Sequence, residues 1–452
     1  MCVVIELPAS VKKTIRFLNM AGFEAYVVGG CVRDSIMRRI PNDWDVTTNA
    51  KPHEIKACIH QKTIDTGIKH GTVSVIYKDM NVEVTSYRID GVYSDNRRPD
   101  NVIFTSDLKE DLKRRDFTIN AMAYNPDTGI IDCFNGLHDI KNKIIRCVGE
   151  PKDRFAEDAL RIMRAYRFAA TLDFDIDKDT IDASAYKMNL LEKISVERIT
   201  SEFNKILLSD NAGKYIKKML DVGVFRYVIH EFENIKGFKE PNSASLDFLD
   251  HILLSVDNTP KDLVLRLTLL LQNIANQYCF AVNEEDIKDT AEKNVEMVNN
   301  ILKRLKYDNK TLSVVKELVS YNNVCINTDE ISVKRILKKI GAERLEQLLK
   351  VKRANIMAEK FYDKRDLSKL DTIEMILSIV LEEGQCYCLK DLVLNGTDLM
   401  AMGLKGKEIG RVLNTILDMV IENLIINDKE VLIKTAKNII EKDFYDKTCN
   451  VQ

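Results

Sequence analysis

Two aspartates stand one residue apart, Asp43 and Asp45, in the stretch NDWDVTT. Residues i and i+2 of a β-strand share a face, roughly 6.5–7 Å apart along the chain, so this pair would project together with Trp44 facing the other way. Two carboxylates on one face repel unless a cation sits between them. Hard divalent ions such as Mg²⁺ take carboxylate and phosphate oxygens and keep several waters. With two ions about 3.5–4 Å apart, one activates an attacking hydroxyl while the other supports a leaving pyrophosphate. Alone, D-x-D also describes a solvated edge strand. Its neighbours decide between the two.

Upstream, VVGGCVRD places Gly29 and Gly30 at a strand end, directly before a helix-like segment holding Arg33. Backbone amides at such a turn, with a helix N-terminus behind them, suit a phosphate chain. A third acid is expected from a neighbouring strand. Glu83 in NVEVTSYR is the candidate, because Val82 and Val84 would face the core; an outward-facing strand residue is the plain alternative.

Further on, the stretch EDALRIMRAYR has helical spacing. Asp158 and Arg161, at i and i+3, are expected on one face as neighbours. Cytosine and adenine both offer an exocyclic amino donor beside a ring-nitrogen acceptor. A carboxylate takes the amino proton while a guanidinium donates to the ring nitrogen. Uracil and guanine present the opposite order and leave buried polar groups unpaired, at about 1–3 kcal/mol each. Two such mismatches give a selectivity of roughly a hundredfold or more. Arg164 and Arg167 continue the row and would reach toward a triphosphate or an incoming RNA end. The competing description is an exposed helix laced by salt bridges, with Glu157 pairing to Arg161 at i+4.

The elements that must position these residues fall into two regimes. In the first 150 residues, AYVVGG (25–30), DWDVTT (43–48), GTVSVIY (71–77) and VEVTSYR (82–88) read as short strands closed by Gly, Pro or Asn. A helix, PASVKKTIRFLNMAG, precedes them, with Pro8 near its start and Gly22 at its stop. From about residue 155 the apolar period becomes helical, beginning with RFAEDALRIMRAYRFAATL as one stripe, and stays so. The expected fold class is α+β, a small mixed β-sheet head followed by a long all-α region. Breaks are expected near 240–247, 320–330 and 381–386.

The chain has 452 residues, Lys+Arg 67 against Asp+Glu 69, a net charge of -2, and 45% hydrophobic residues. Two to four structural units are expected, and no global basic signal announces a nucleic acid, although a local basic face can be balanced elsewhere. No long uninterrupted apolar run or charged-then-apolar leader appears, so neither a membrane span nor export is expected. The ten cysteines form no C-x-x-C pair and the six histidines no ligand spacing. Reduced thiols, a cytoplasmic location and no zinc are the expectation.

GGCVRD...NDWDVTT, RRDFTINAMAYN (114–125) and EDALRIMRAYRFA (157–169), in this order, resemble the class II (bacterial-type) CCA-adding tRNA nucleotidyltransferases and their poly(A) polymerase relatives, within the nucleotidyltransferase superfamily that shares the DNA polymerase β catalytic head. The resemblance spans nearly the whole chain. It implies metal-holding roles for Asp43 and Asp45, and nucleotide contacts for Gly30, Arg33 and Arg115, with Asp116 near the ribose and Thr118 and Asn120 as structural residues. It implies base recognition by Asp158 and Arg161 and nucleotide binding by Arg164 and Arg167, with Mg²⁺ as cofactor and CTP, ATP and tRNA as partners. It also implies a division into a catalytic head (1–150), a neck (151–215), a helical body (216–345) and a tRNA-binding tail (346–452).

The polar stretch 88–108 resembles the flexible loop that full CCA-adding enzymes use when switching from CMP to AMP addition, with contact to RNA phosphate as the alternative role for its Arg97 and Arg98. A-only addition or poly(A) synthesis is the alternative within the class, and an inactive RNA-binding paralogue the alternative outside it. Residues 249–277 resemble a His-Asp hydrolase region in which Gln272-Asn273 replaces the dyad; with only His251 retained, packing is the expected role. Gly403, Gly406 and Gly410, with Lys405, Lys407 and Arg411, resemble the part of the tail that meets the tRNA elbow, recognised by shape. KVKRANIMAEK (350–360) is a second basic patch, equally a solvated face.

Overall fold

The structure, a computed structural model, describes residues 4–91, 93, 101–235, 247–276, 287–359 and 364–449. Arg97 and Arg98 lie outside the described residues, as do most of the 88–108 stretch's central positions. The chain divides into two compact units, Met1–Lys236 with Lys303–Lys306, and Gly237–Leu302 with Tyr307–Gln452.

The first unit is built on a seven-stranded mixed sheet. Helix α1 (Ala9–Met20) leads into β1 (Ala25–Val28), α2 (Gly30–Ile36), β2 (Asp45–Thr48) and α3 (Pro52–Cys58). Strands β3 (Thr63–Gly67), β4 (Thr72–Ile76) and β5 (Asn81–Ser86) follow, then the small hairpin of β6 (Arg88–Asp90) and β7 (Val102–Phe104). Helix α4 (Leu108–Lys113), β8 (Met122–Asn125), β9 (Gly129–Asp132) and α5 (Gly136–Asn142) complete the head. The strand order is β3-β4-β5-β2-β1-β8-β9. Four of these strands are the expected ones, while β3, β8 and β9 were not anticipated.

Alternation explains which faces are buried. Val82 and Val84 on β5 and Val46 on β2 are fully buried with Trp44 and α1 residues such as Val11 and Leu18 in one cluster. Asp45 pairs with Val28 across the antiparallel β1–β2 ladder and with Glu83 across the parallel β2–β5 ladder. The ladder therefore sets the end of β1, where Gly29 begins the turn, beside the second aspartate.

Two expectations need correction here. The strand begins at Asp45, so Asp43 belongs to the connection before it. The predicted continuous helix 154–172 is two helices, α6 (Pro151–Glu157) and α7 (Leu160–Leu172). Asp158 between them is extended, with φ -133 and ψ 103. No proline or glycine marks the break. Aspartate competes for backbone donors, and Asp158 does so twice: its side chain accepts from Leu160 N at 3.1 Å and its carbonyl from Arg161 N at 3.0 Å. Helices α8 (Lys178–Lys187) and α9 (Val196–Leu207) pack against α6 and α7 respectively.

The second unit is helical throughout its described residues. The helix Phe248–Asp257 packs on Glu330–Ala358, which kinks at Gly341. Lys407–Ile421 and Lys429–Cys449 close a separate apolar cluster around Leu394, Val412, Ile416 and Leu432.

Gly136 is a point of close approach. A Cβ there would stand 2.4 Å from the Thr118 carbonyl oxygen and 2.9 Å from Met122, a contact that only backbone movement relieves. Gly136→Ala is expected to destabilise the protein by about 1–3 kcal/mol through overpacking, read as a lowered melting transition of the full chain; an unchanged melting curve would show that α5 slides freely.

Candidate active site

The site is a cleft of about 420 Å³ in the first unit, lined by six arginines (33, 114, 115, 161, 164, 167), four aspartates (43, 45, 116, 158), Gly29, Gly30, Asn120 and Phe168. Thus Gly30, Arg33, Asp43, Asp45, Arg115, Asp158, Arg161, Arg164 and Arg167 converge as the sequence suggested. Glu83 does not line it. It is exposed on β5, aligned with Asp45 across the ladder.

The glycine turn is dictated by backbone geometry. Gly29 has φ 85 and ψ -135, a region closed to residues with a Cβ. A Cβ there would also approach Arg115 Nη1 at 3.2 Å. Helix α2 starts immediately after, and its buried Arg33 is fixed by Asp34 and by Asn120 Oδ1, which accepts from Arg33 Nη1 at 2.6 Å. Asn120 also donates to Asp116 Oδ1 at 3.1 Å. Thr118 donates to the buried Asp139 at 2.7 Å, a tie between the motif and α5.

Each remaining arginine is held from behind by an acid. Asp116 accepts from Arg164 Nε at 2.9 Å and Nη2 at 2.6 Å. Burial alone would raise its pKa, but Arg164 and Asn120 outweigh that and hold the carboxyl well below the usual range. Arg167 Nε donates to Glu202 at 2.8 Å. Arg114 and Arg115 lean on Asp111, which is fully buried within α4 and also accepts from Thr47 on β2. Phe168 is the apolar member: Arg33, Arg164 and Arg167 lie 5.0, 5.2 and 3.4 Å from its ring centroid, within cation–π range.

Asp158 and Arg161 both line the cleft and are not paired with each other. Arg161 donates to Glu157 at 2.7 Å and to the Arg114 carbonyl at 2.8 Å. The Glu157–Arg161 pair foreseen for a surface helix exists, yet it spans the helix break, and its Arg161 lines the cleft. Asp158 lies 3.5 Å from Arg198 on α9. Asp111, Phe168, Glu202 and Arg198 were missed by sequence reasoning; the EDLKRRD run and the RAYRF ending were the available signals for the first two, and neither Glu202 nor Arg198 had any local one.

The acid end of the cleft behaves differently. Burial, and then Asp43, raise the Asp45 pKa to about 6, with Arg115 opposing and Glu83 adding to the rise. Two hard carboxylates open to a phosphate-sized cleft fit a divalent cation that draws its other ligands from phosphate and water. Among the described residues no three His, Cys, Asp or Glu side chains form a closed metal cage, so the donor set suits a shared rather than a structural ion.

In the second unit, Gln272 and Asn355 exchange amide hydrogen bonds at 2.7 and 3.3 Å, and His251 Nε2 meets the Asn355 carbonyl at 3.2 Å. These neutral amides satisfy each other's hydrogen bonds.

The poly(A) polymerase head domain model matches residues 25–146, the RNA and SrmB-binding site of polymerase A matches 173–236, and tRNA nucleotidyltransferase domain 2 matches 267–436. The CCA-adding enzyme of Ligilactobacillus salivarius is 35% identical over 446 residues, covering 97% of this chain and 99% of its own. That of Enterococcus faecalis is 35% identical over 428 residues, 94% of each. The structure of the Bacillus stearothermophilus CCA-adding enzyme in complex with CTP superposes with a TM-score of 0.72 at 28% identity, covering 96% of this chain and 98% of that one. Fold and cleft together are those of a metal-dependent nucleotidyltransferase. Within that class the chain belongs to the CCA-adding enzymes. Among the described residues no helix is long and apolar enough to cross a membrane.

A carboxyl whose folded pKa is raised binds its proton more tightly when folded, so stability falls as pH climbs from about 4 through about 6. Asp45→Asn removes that penalty. In EDTA at pH 7.5 the variant is expected to melt above the parent, with the gap closing toward pH 4.5 and on addition of a divalent cation; equal melting at pH 7.5 would refute the electrostatic strain.

Proposed function

We propose that this enzyme adds C, C and A to the 3′ end of tRNA from CTP and ATP, without a nucleic-acid template, releasing pyrophosphate. The observation that carries the reading is the convergence of Asp43 and Asp45 with the Gly29–Gly30 turn and the arginine wall in one cleft. Asp43 and Asp45 would hold Mg²⁺, which when bound supplies activation of the tRNA 3′-hydroxyl and support for the departing pyrophosphate. Gly30 and the α2 amides receive the phosphate chain, and Arg33, Arg115, Arg164 and Arg167 neutralise it. Glu83, exposed on the next strand, adds negative charge beside Asp45. Asp158 accepts the amino group of the incoming base while Arg161 donates to its ring nitrogen, which admits C and A and turns away U and G.

Residues 1–150 act as the head, 151–215 as the base-reading neck, 216–345 as the body and 346–452 as the tail. In the tail, Gly406 begins the helix Lys407–Ile421 with φ 56, and Lys405 and Lys407 beside it suit the phosphates of the tRNA elbow. A cytoplasmic location follows from the tRNA substrate.

The deciding experiment offers the purified protein three tRNAs, ending before CCA, after C and after CC, with single nucleotides and Mg²⁺. Stepwise growth of all three by C, C and A is expected. Extension of only the CC-ended tRNA would make it an A-adding enzyme, and long A tails a poly(A) polymerase. Asp45→Ala is expected to abolish transfer while tRNA binding persists; full activity in that variant would sink the metal-holding role. Exchanging Asp158 and Arg161 for groups complementary to uracil should admit UTP.

A further inference from the structure

We propose that Arg198 is a specificity-positioning residue that holds the Asp158 carboxylate, in its acceptor state, where it reads the amino group of an incoming base. The inference rests on the base-reading role of Asp158.

The helix break fixes the problem this residue solves. Asp158 sits between α6 and α7 with an extended backbone, and only its Oδ1 has a backbone donor, Leu160 N at 3.1 Å. The other oxygen, Oδ2, faces Arg198 Nη2 at 3.5 Å from α9, a helix packed along α7. The remaining charged groups around Asp158 are already engaged. Arg161 is drawn to Glu157 at 2.7 Å, Arg164 is clamped by Asp116, and Glu157 also takes Arg154 at 2.5 Å. Arg198 Nη1 is buried and finds no hydrogen-bond partner among the described residues. A planar guanidinium with an unspent donor beside a carboxylate is poised for a two-bonded grip.

Charge state matters here as much as position. Burial raises the Asp158 pKa, and Arg198 is the foremost group opposing the rise, followed by the Leu160 amide, Arg161 and Arg164. An ionised Asp158 only accepts, which matches the amino group of cytosine or adenine. A protonated one donates, and its O–H would meet the carbonyl of uracil or guanine, removing one of the two mismatches that exclude them. Losing Arg198 therefore loosens the acceptor and lets its proton return. A salt bridge that merely braced α9 against α7 would lower stability without touching base choice.

The test is single-nucleotide incorporation on tRNA lacking CCA, with CTP and UTP separately, from pH 6.0 to 8.5. The parent is expected to keep a nearly flat CTP/UTP preference. In Arg198→Met the KM for CTP should rise by roughly tenfold with kcat at saturation little changed, and the CTP/UTP preference should fall by roughly tenfold toward pH 6. Arg198→Lys should restore most of the preference. A flat, parental preference in Arg198→Met overturns the proposal. Should that variant not fold, Arg198→Gln, which keeps a donor without the charge, reads the same pH slope. Asp158→Asn in the same assay separates the two levels. If it loses the preference while Arg198→Met keeps it, only the role of Arg198 fails; if it keeps the preference too, the base-reading assignment has failed beneath it.

Discussion

A guanidinium carried into a half-closed cleft must be held from behind, or it collapses onto the nearest carboxylate and the site with it. Six arginines line this cleft, and the structure meets the requirement by giving each an acid partner: Asp34 for Arg33, Asp111 for Arg114 and Arg115, Glu157 for Arg161, Asp116 for Arg164, Glu202 for Arg167. Buried pairs of this kind add little net stability, because desolvation offsets most of the attraction. Their yield is geometric. Each fork keeps donors turned toward the cleft at fixed height, which a flexible surface arginine could not do. Phe168 serves the same end from within, giving three cations a common face to lie against.

Asp45 is the exception that defines the chemistry. Asp116 and Asp158 each have an arginine beside them, Arg164 and Arg198, whereas burial and then Asp43 push Asp45 toward its neutral form, with Arg115 opposing. A fold that pairs its charges so carefully elsewhere leaves this end acid-rich, a charge balance that suits a cation shared with phosphate oxygens. Register produces this cluster: Val28, Asp45 and Glu83 stand abreast on β1, β2 and β5, so the glycine turn and both acid-bearing strands meet at one edge.

How much of this was legible follows from the range of each interaction. The aspartate pair, the glycine turn and the arginine row are local patterns, and their types and spacing carried the chemistry. The α+β layout was legible because a period of two gives way to 3.6 near residue 155. Strands β8 and β9 were missed because MAYN and GIID are four residues each, too short to display a period of two. Glu202 and Arg198 were invisible for a different reason. They come from α9, some forty residues downstream of what they touch, and a helix with one apolar face gives no sign of which polar residue its neighbour will need.

The break at Asp158 shows how a local rule can fail and the function survive. Spacing of three placed Asp158 and Arg161 side by side on one helical face, which would have paired them with each other and silenced both toward a base. An extended residue between two helices uncouples them. Arg161, inside α7, is drawn back to Glu157 and the Arg114 carbonyl, while Asp158 is turned toward α9. The two groups then face one cleft without satisfying one another, so a nucleobase that offers a donor beside an acceptor can engage both. Helical propensity alone favours the continuous helix across this segment, since it contains neither glycine nor proline. The Asp158 bonds to Leu160 N and Arg161 N replace the helical ladder there, and they let a chain built of ordinary helix formers hold a donor and an acceptor apart.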